Sequence, residues 1–309
     1  MYLGELISLG VAFSWTITAL CIEYASKKLG TLSVNFLRLL LGFFLTGSLL
    51  LVITGRFFPQ GTDSDTWLWM SVSGLIGFVF GDFCLFYSYI LIGSRFGQLF
   101  MTLAPPAAAI SGAIILGESM RGMAWVGMFV TLIGIALSIF SRGEKGRRMH
   151  IKLPLKGVLL GIGAGLGQGV GLVFSKLGME HYSESAIGSS AEVIKMIPFA
   201  ASQIRMIVGT ISFLIILLIT KKLHNVKPAF HDKKIGLSVV LGTIFGPFLG
   251  VAFSLMAVQY TESGIASTIM ALTPIIIILP SVVILKQKIT PLEIVGAIIS
   301  VAGVSLFFL

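Results

Sequence analysis

Charge is what this sequence has least of. Asp, Glu, Lys and Arg supply 11% of its 309 residues, where a soluble chain carries about 25%. So thin a polar inventory leaves little room for a soluble domain. Cysteine is nearly missing: Cys21 and Cys84 both lie inside apolar runs, which excludes a disulfide framework and a thiolate metal centre. The four histidines, His150, His181, His224 and His231, fall in loops between those runs and at no metal-ligand spacing. No metal or other cofactor is expected. No phosphate-binding G-x-x-x-x-G-K-[ST] loop occurs, so the chain carries no nucleotide engine of its own. Met1-Tyr2-Leu3-Gly4-Glu5 lacks the basic start of a signal peptide, so the first apolar run is read as a retained helix. Basic residues interleaved with aromatics are also missing, which argues against nucleic acid as a partner in spite of the +9 net charge.

What is present is greasy length. Hydrophobic residues make up 56% of the chain, and a run of about 20 apolar residues crosses the hydrocarbon core as a helix. Hydropathy marks spans near 3–22, 33–54, 68–91, 94–116, 122–140, 157–178, 198–220, 235–258, 263–285 and 291–309. The expected class is an all-α integral membrane protein with ten transmembrane helices, and the lipid bilayer is the first partner.

The chain also repeats itself. Shifted by 169 positions, Gly74–Phe140 falls on Thr243–Leu309 without a gap. Gly77 and Gly81 then meet Gly246 and Gly250; Met101, Leu103 and Pro105 meet Met270, Leu272 and Pro274; Gly127 and Gly134 meet Gly296 and Gly303. Identity is low, but glycine and proline set backbone shape and so carry the match. Earlier spans correspond less well, Gly10 with Gly163, Trp15 with Gln168, Glu23 with Lys176 and Arg38 with Arg205. The organisation expected is a first five-helix repeat over 1–140, a basic linker over 141–156 and a second repeat over 157–309. Five spans is an odd number, so the second copy enters from the other side and the repeats are inverted.

Of the 22 Lys and Arg residues, 16 fall in loops after odd-numbered spans and three, Arg56, Arg121 and Lys195, on the other side. The positive-inside rule then puts both termini outside the cytoplasm.

Several polar residues lie where a bilayer penalises them. Asp82 sits near the middle of the third span; a carboxylate there costs ~2.5–3.5 kcal/mol on insertion scales, so it should face a water-accessible cavity in the bundle interior. It is read as a proton-coupling carboxylate or an anchor for a substrate amine, against a neutral or paired structural carboxyl. Arg38 and Arg205 lie ~7–10 Å inside their spans, within reach of snorkelling, and their matched positions favour a structural role. Glu23 and Lys176 are expected at the interface. Trp15, Gln98 and Gln168 are candidates to line a cavity, and Tyr87 is either a packing aromatic or a ligand contact. Pro105, Pro106 and Pro274 lie near mid-span, where proline removes a backbone donor and kinks a helix. Span 6 carries glycines at every second position from Gly161 to Gly171. They do not form G-x-G-x-x-G; at helical spacing they make two small-residue faces for close packing.

In combination these features resemble the EamA-type transporters of the drug/metabolite transporter superfamily. The resemblance rests on the two five-span repeats, Trp15 in span 1, Arg38 early in span 2, and Gly81-Asp82-Phe83-Cys84-Leu85-Phe86-Tyr87 followed by Ala104-Pro105-Pro106 and Leu116-Gly117-Glu118. The second copy has Ala271-Leu272-Thr273-Pro274 and the Gly296, Gly303 tail. The resemblance implies ten helices, a central cavity between spans 1, 3, 4, 6, 8 and 9, alternating access and no enzymatic activity. Members are usually drawn with cytoplasmic termini, opposite to the charge bias here. The expected function is a secondary transporter of a small metabolite such as an amino acid, a sugar or a drug-like compound, working as an exporter in the cell (inner) membrane, with a proton or sodium ion as coupling partner. The rivals are an intramembrane lipid-processing enzyme, which would need a clustered nucleophile and base, and a membrane scaffold or receptor without transport.

Overall fold

The computed structural model describes residues 2–117, 122–140, 153–260, 269–283, 286 and 289–306. The described residues are mostly helical, with no strand among them. Hydrocarbon cannot satisfy backbone N–H and C=O groups, so an apolar chain of this kind must bond them within each segment. Seven helices are long and apolar enough to cross a membrane: α1 (Leu3–Leu29), α2 (Thr31–Thr54), α3 (Ser64–Ile92), α4 (Ser94–Ile115), α6 (Leu155–Ser185), α7 (Ile197–Ile219) and α8 (Lys233–Ala257). Three further apolar helices are α5 (Gly122–Phe140), α9 (Thr273–Val283) and α10 (Pro291–Leu306). Most of the 141–156 linker lies outside the described residues, as do Gln287 and Lys288.

Two joints are a single residue long. Gly30 (φ 79°) separates α1 from α2, and Gly93 (φ 83°) separates α3 from α4. Both take a positive φ that costs glycine little and any other residue a steric clash. Some helices exceed their hydropathic cores. α1 continues to Leu29, which brings Glu23 inside it, 3% exposed. α6 continues to Ser185, so His181 stands on a helix and not in a loop. Hydropathy misses such ends because their polar residues still form good helix. The polar stretch after α6 holds a short helix, Ala191–Lys195, whose N-cap Ser190 accepts a bond from the Val193 N–H.

The halves are interleaved. α1 packs along α8, and α6 along α3; α2 packs on α7, and α5 on α10; α4 lies on α6 and α9 on α1. Under the correspondence of the two repeats each pair maps onto its counterpart or onto itself. The α5–α10 contact displays this in detail: Gly134 lies against the backbone of Ser300 and Gly296, and Gly303 against that of Thr131 and Gly127. Thr131 also donates its hydroxyl to the Ser300 carbonyl at 3.3 Å. Such reciprocity is what a two-fold relation produces.

The glycine stripes of α6 serve two neighbours. A Cβ on Gly167 or Gly171 would come within 2.9 Å of the Gly81 or Gly77 Cα on α3, and one on Gly165 within 2.6 Å of the Phe100 carbonyl on α4. Close backbone approach therefore accounts for both faces.

The regular helix breaks at matched places. α3 widens into π-helix over Gly74–Asp82, and α8 over Ile244–Val251; under the 169-residue shift the two stretches end at the same place and the second begins one residue later. α4 tightens into a 3-10 turn at Met101–Leu103 just before Pro105 and Pro106, which fall in the first turn of the next α-segment. On the other side the Leu272 N–H reaches the Ile269 carbonyl with the same short spacing, and Pro274 again falls in the first helical turn. Proline fits there because its missing N–H has no helical partner to lose.

Candidate functional site

Asp82 ends the π-helical stretch of α3. Wider turns of this kind re-aim the side chains that follow and recur at functional sites. Here the carboxylate points to where α2, α6 and α7 meet α3. It forms an ion pair with the Arg38 guanidinium of α2, and its Oδ1 accepts a bond from Gln168 Nε2 of α6 at 2.7 Å. Gln168 Nε2 also donates to the Gly77 carbonyl at 3.1 Å, which ties the pair to the backbone of α3. Arg38 is held from behind by Asn35, which accepts from Nε at 3.2 Å, and its charge stands 4.6 Å from the Phe86 ring centroid.

The second arginine approaches from α7. Its guanidinium carbon stands 4.4 Å from the centre of the Phe78 ring, and Arg38 lies 5.7 Å from the same ring. Phe78 thus stands between two cations, whose attraction to its face is worth up to ~2 kcal/mol each when desolvated. Both arginines interact electrostatically with Asp82.

Two expectations need correction. Arg38 and Arg205 do not snorkel: they are 3% and 5% exposed and turn inward. Asp82 does not face an open cavity; it is 6% exposed and closed over by Arg38 and Gln168. An open groove of ≈ 810 Å³ lies elsewhere, at the ends of α2 and α6, lined by residues that include Thr54, Arg56, Phe57, Gln60 and Ser190.

Not every candidate joins this cluster. Trp15 of α1 is half-buried and sits over Gly250 of α8, with its Nε1 2.8 Å from where a Cβ would stand; Gln168 covers Gly81 in the matched place at 3.2 Å. Tyr87 accepts a bond from Lys156 Nζ at 3.0 Å near the basic end of α6. Gln98 donates to the Tyr89 hydroxyl at 2.6 Å, about two helical turns along α3 from Asp82. Glu23 pairs with Lys27 and accepts the Ser94 N–H at 2.8 Å, holding the start of α4 against α1. Asn35 and Phe78 belong to the site although the sequence reading passed over them, and so does Phe86, which it named only beside Asp82 in the Gly81–Tyr87 run. Their signal was spacing: Asn35 is three residues before Arg38, and Phe78 and Phe86 are four residues either side of Asp82, the distances at which helical side chains meet.

The arrangement can hold and release charge inside a membrane. It offers one carboxylate that accepts a proton, two guanidinium donors and an amide, joined across helices from both halves. Among the described residues no three His, Cys, Asp or Glu side chains stand together as a metal site.

The sequence model of the EamA-like transporter family matches residues 2–140 and again 155–309. No curated protein matches the chain. One solved crystal structure is similar over 98% of this chain and 95% of its own length, with a TM-score of 0.60 and 17% identity, a likeness of fold. With two family units covering nearly its whole length and at least seven helices fit to span a bilayer, the chain belongs to the EamA-like transporter family and is a multi-pass integral membrane protein.

Proposed function

We propose that the protein is a secondary transporter that exports a small metabolite by alternating access, with the Arg38–Asp82–Gln168 cluster as its coupling centre. Ten transmembrane helices form two inverted five-helix halves, 1–140 and 157–309, joined by the basic 141–156 linker on the cytoplasmic side. The observation that carries the reading is that a buried charged cluster, Arg38, Asp82 and Gln168, lies on the α3–α6 crossing, where the halves meet. Rocking of one half against the other changes distances there first. The matched π-segments and interrupted helices support it, because irregular backbone at membrane depth is tolerated where it is enclosed by protein or lines a cavity.

In this mechanism the closed cluster is the occluded resting arrangement. Protonation of Asp82 removes the attraction that holds Arg38 and loosens the crossing; substrate enters, and release of the proton from Asp82 restores the ion pair and closes the cluster again. An amino acid, sugar or drug-like compound fits such a site, and a proton is the coupling ion that a lone carboxylate can carry. A lipid-processing enzyme would need a nucleophile beside a base, whereas the charged members here are a paired carboxylate and two arginines.

Uptake into proteoliposomes tests the reading. An imposed pH gradient should drive accumulation of a metabolite drawn from a mixed extract, and liposomes without protein should not accumulate it. If no component moves under either polarity of gradient, the proposal fails. Orientation is tested with a cysteine in the 141–156 linker: a membrane-impermeant thiol reagent should spare it in intact cells and label one placed near Asp63.

A further inference from the structure

The structure assigns a ligand class to the cluster: we propose that Arg205 is the seat of a monoanion, so that the substrates are small carboxylates with an apolar body. The role in transport rests on the reading above; the anion site stands on geometry of its own. Arg38 is fully engaged, by Asp82, Asn35 and Phe86. Arg205 is not. It is 5% exposed, its Nε is fully buried without a hydrogen-bond partner, and its charge meets the Phe78 ring, the more distant Asp82 and the like charge of Arg38. A guanidinium carries five N–H donors in a planar fork that matches a carboxylate with two parallel bonds.

The balance of charge narrows the class. The charged groups facing the site are Arg38 from α2, Asp82 from α3 and Arg205 from α7; α6 contributes the neutral Gln168. One positive charge is left over. A monoanion cancels it, a dianion overshoots, and an amine meets two guanidinium groups against one carboxylate. The cluster that holds Phe78 is otherwise apolar, with Leu39, Phe43, Val79, Met206 and Val251, which suits a hydrocarbon or aromatic body.

The repeat points to the same place. Arg38 and Arg205 occupy corresponding positions, and Asp82 corresponds to Val251. The first half fills its arginine with a carboxylate from the chain. The second half has valine where that carboxylate would stand, and the guanidinium is left for a carboxylate from outside.

The test uses the purified full chain and matched probes: butyrate and benzoate, butylamine and benzylamine, butanol and benzyl alcohol, with chloride and inorganic phosphate as controls. Thermal unfolding in detergent reads binding. The two carboxylates should raise the unfolding midpoint at millimolar concentration above all other probes. Arg205→Gln should weaken the effect at least tenfold, and Arg205→Lys should retain part of it. Val251→Asp, which supplies the missing carboxylate, should abolish the effect in a folded protein. Asp82→Asn should strengthen it about tenfold, since it removes a competing negative charge. Stabilisation by the amines or alcohols equal to that by the carboxylates, an undiminished effect in Arg205→Gln or Val251→Asp, an equal effect of chloride or phosphate, or no effect of any probe would each overturn the assignment. The same probes in proteoliposomes separate the two claims. Arg205-dependent binding of carboxylates without passage would refute transport and leave the anion site. Passage of amines or alcohols independent of Arg205 would do the reverse.

Discussion

Removing the Asp82 carboxylate should cost more than any other single truncation in the site, and by an amount that depends on what replaces it. Arg38 is 3% exposed, with Phe78 and Phe86 on its flanks. Asp82→Ala leaves that guanidinium buried without its counter-charge and also strips an acceptor from Gln168. Loss of one partner from a buried pair costs ~3–5 kcal/mol, and in a membrane no water relieves it. Arg38 and Gln168 bond different oxygens of the carboxylate, so Asp82→Asn keeps an acceptor for only one of them, sets an amide donor against the other and loses the charge assistance, ~1.5–3 kcal/mol. Replacing both charges at once, Arg38→Met with Asp82→Leu, should fall close to the parent, because two desolvation costs vanish together with the attraction. Reversible unfolding in lipid–detergent bicelles, followed by the fluorescence of the four tryptophans, gives the free energies. Transport gives a second reading: Asp82→Asn should insert and express yet fail to accumulate substrate against a gradient, while downhill exchange survives. Asp82→Ala within 1 kcal/mol of the parent, or additive effects in the cycle, would refute the buried-pair argument. Normal concentrative transport by Asp82→Asn would falsify the coupling role.

Two further outcomes are expected. Gly134→Ala should destabilise the fold by ~1–3 kcal/mol as overpacking against the Ser300 and Gly296 backbone, whereas Gly10→Ala, with open space around its Cβ position, should be neutral or stabilising by up to ~1 kcal/mol from helix propensity; equal midpoints for the two variants would contradict the α5–α10 geometry. Asp63 caps α3 by accepting the Thr66 N–H at 2.8 Å, and hydrogen bonding from Thr66 holds its carboxyl below the usual range. A lowered folded-state value means the contribution is present above the ordinary carboxylate range and lost as pH falls below about 4. Asp63→Asn should keep the cap and flatten that part of the acid-induced loss, and an unchanged acid profile would remove the cap from the account.

Most of the scaffold was legible because the features that shape it are backbone features. Gly77, Gly81, Gly127 and Gly134 could be matched to partners 169 positions on without knowing any contact, and each of those matches stands at a close helix approach or beside one. Pro105 and Pro274 announced breaks in α4 and α9 for the same reason. What hydropathy misjudged was helix length. It ended α1 before Glu23 and α6 before His181, because a window average sees polarity and not the hydrogen bonds that carry a helix into it.

The site was legible in its parts and not in its pairing. Depth alone singled out Asp82, Arg38 and Arg205, but depth is also what suggested that the arginines escape to the interface. The choice between escaping and pairing depends on which helices touch, and the pairing crosses the chain from α2 to α3 and from α3 to α6. The repeat could have narrowed it. Where the two halves agree, as at the glycines, prolines and arginines, they build the same frame. Where they differ inside that frame, Asp82 against Val251 and Gln168 against Trp15, a symmetric shell receives unequal contents. A frame that places two arginines alike and answers only one of them with a carboxylate is polarised by construction. The mismatches within a matched repeat therefore mark where chemistry departs from architecture, and here they converge on a single charged cluster at the crossing of the halves.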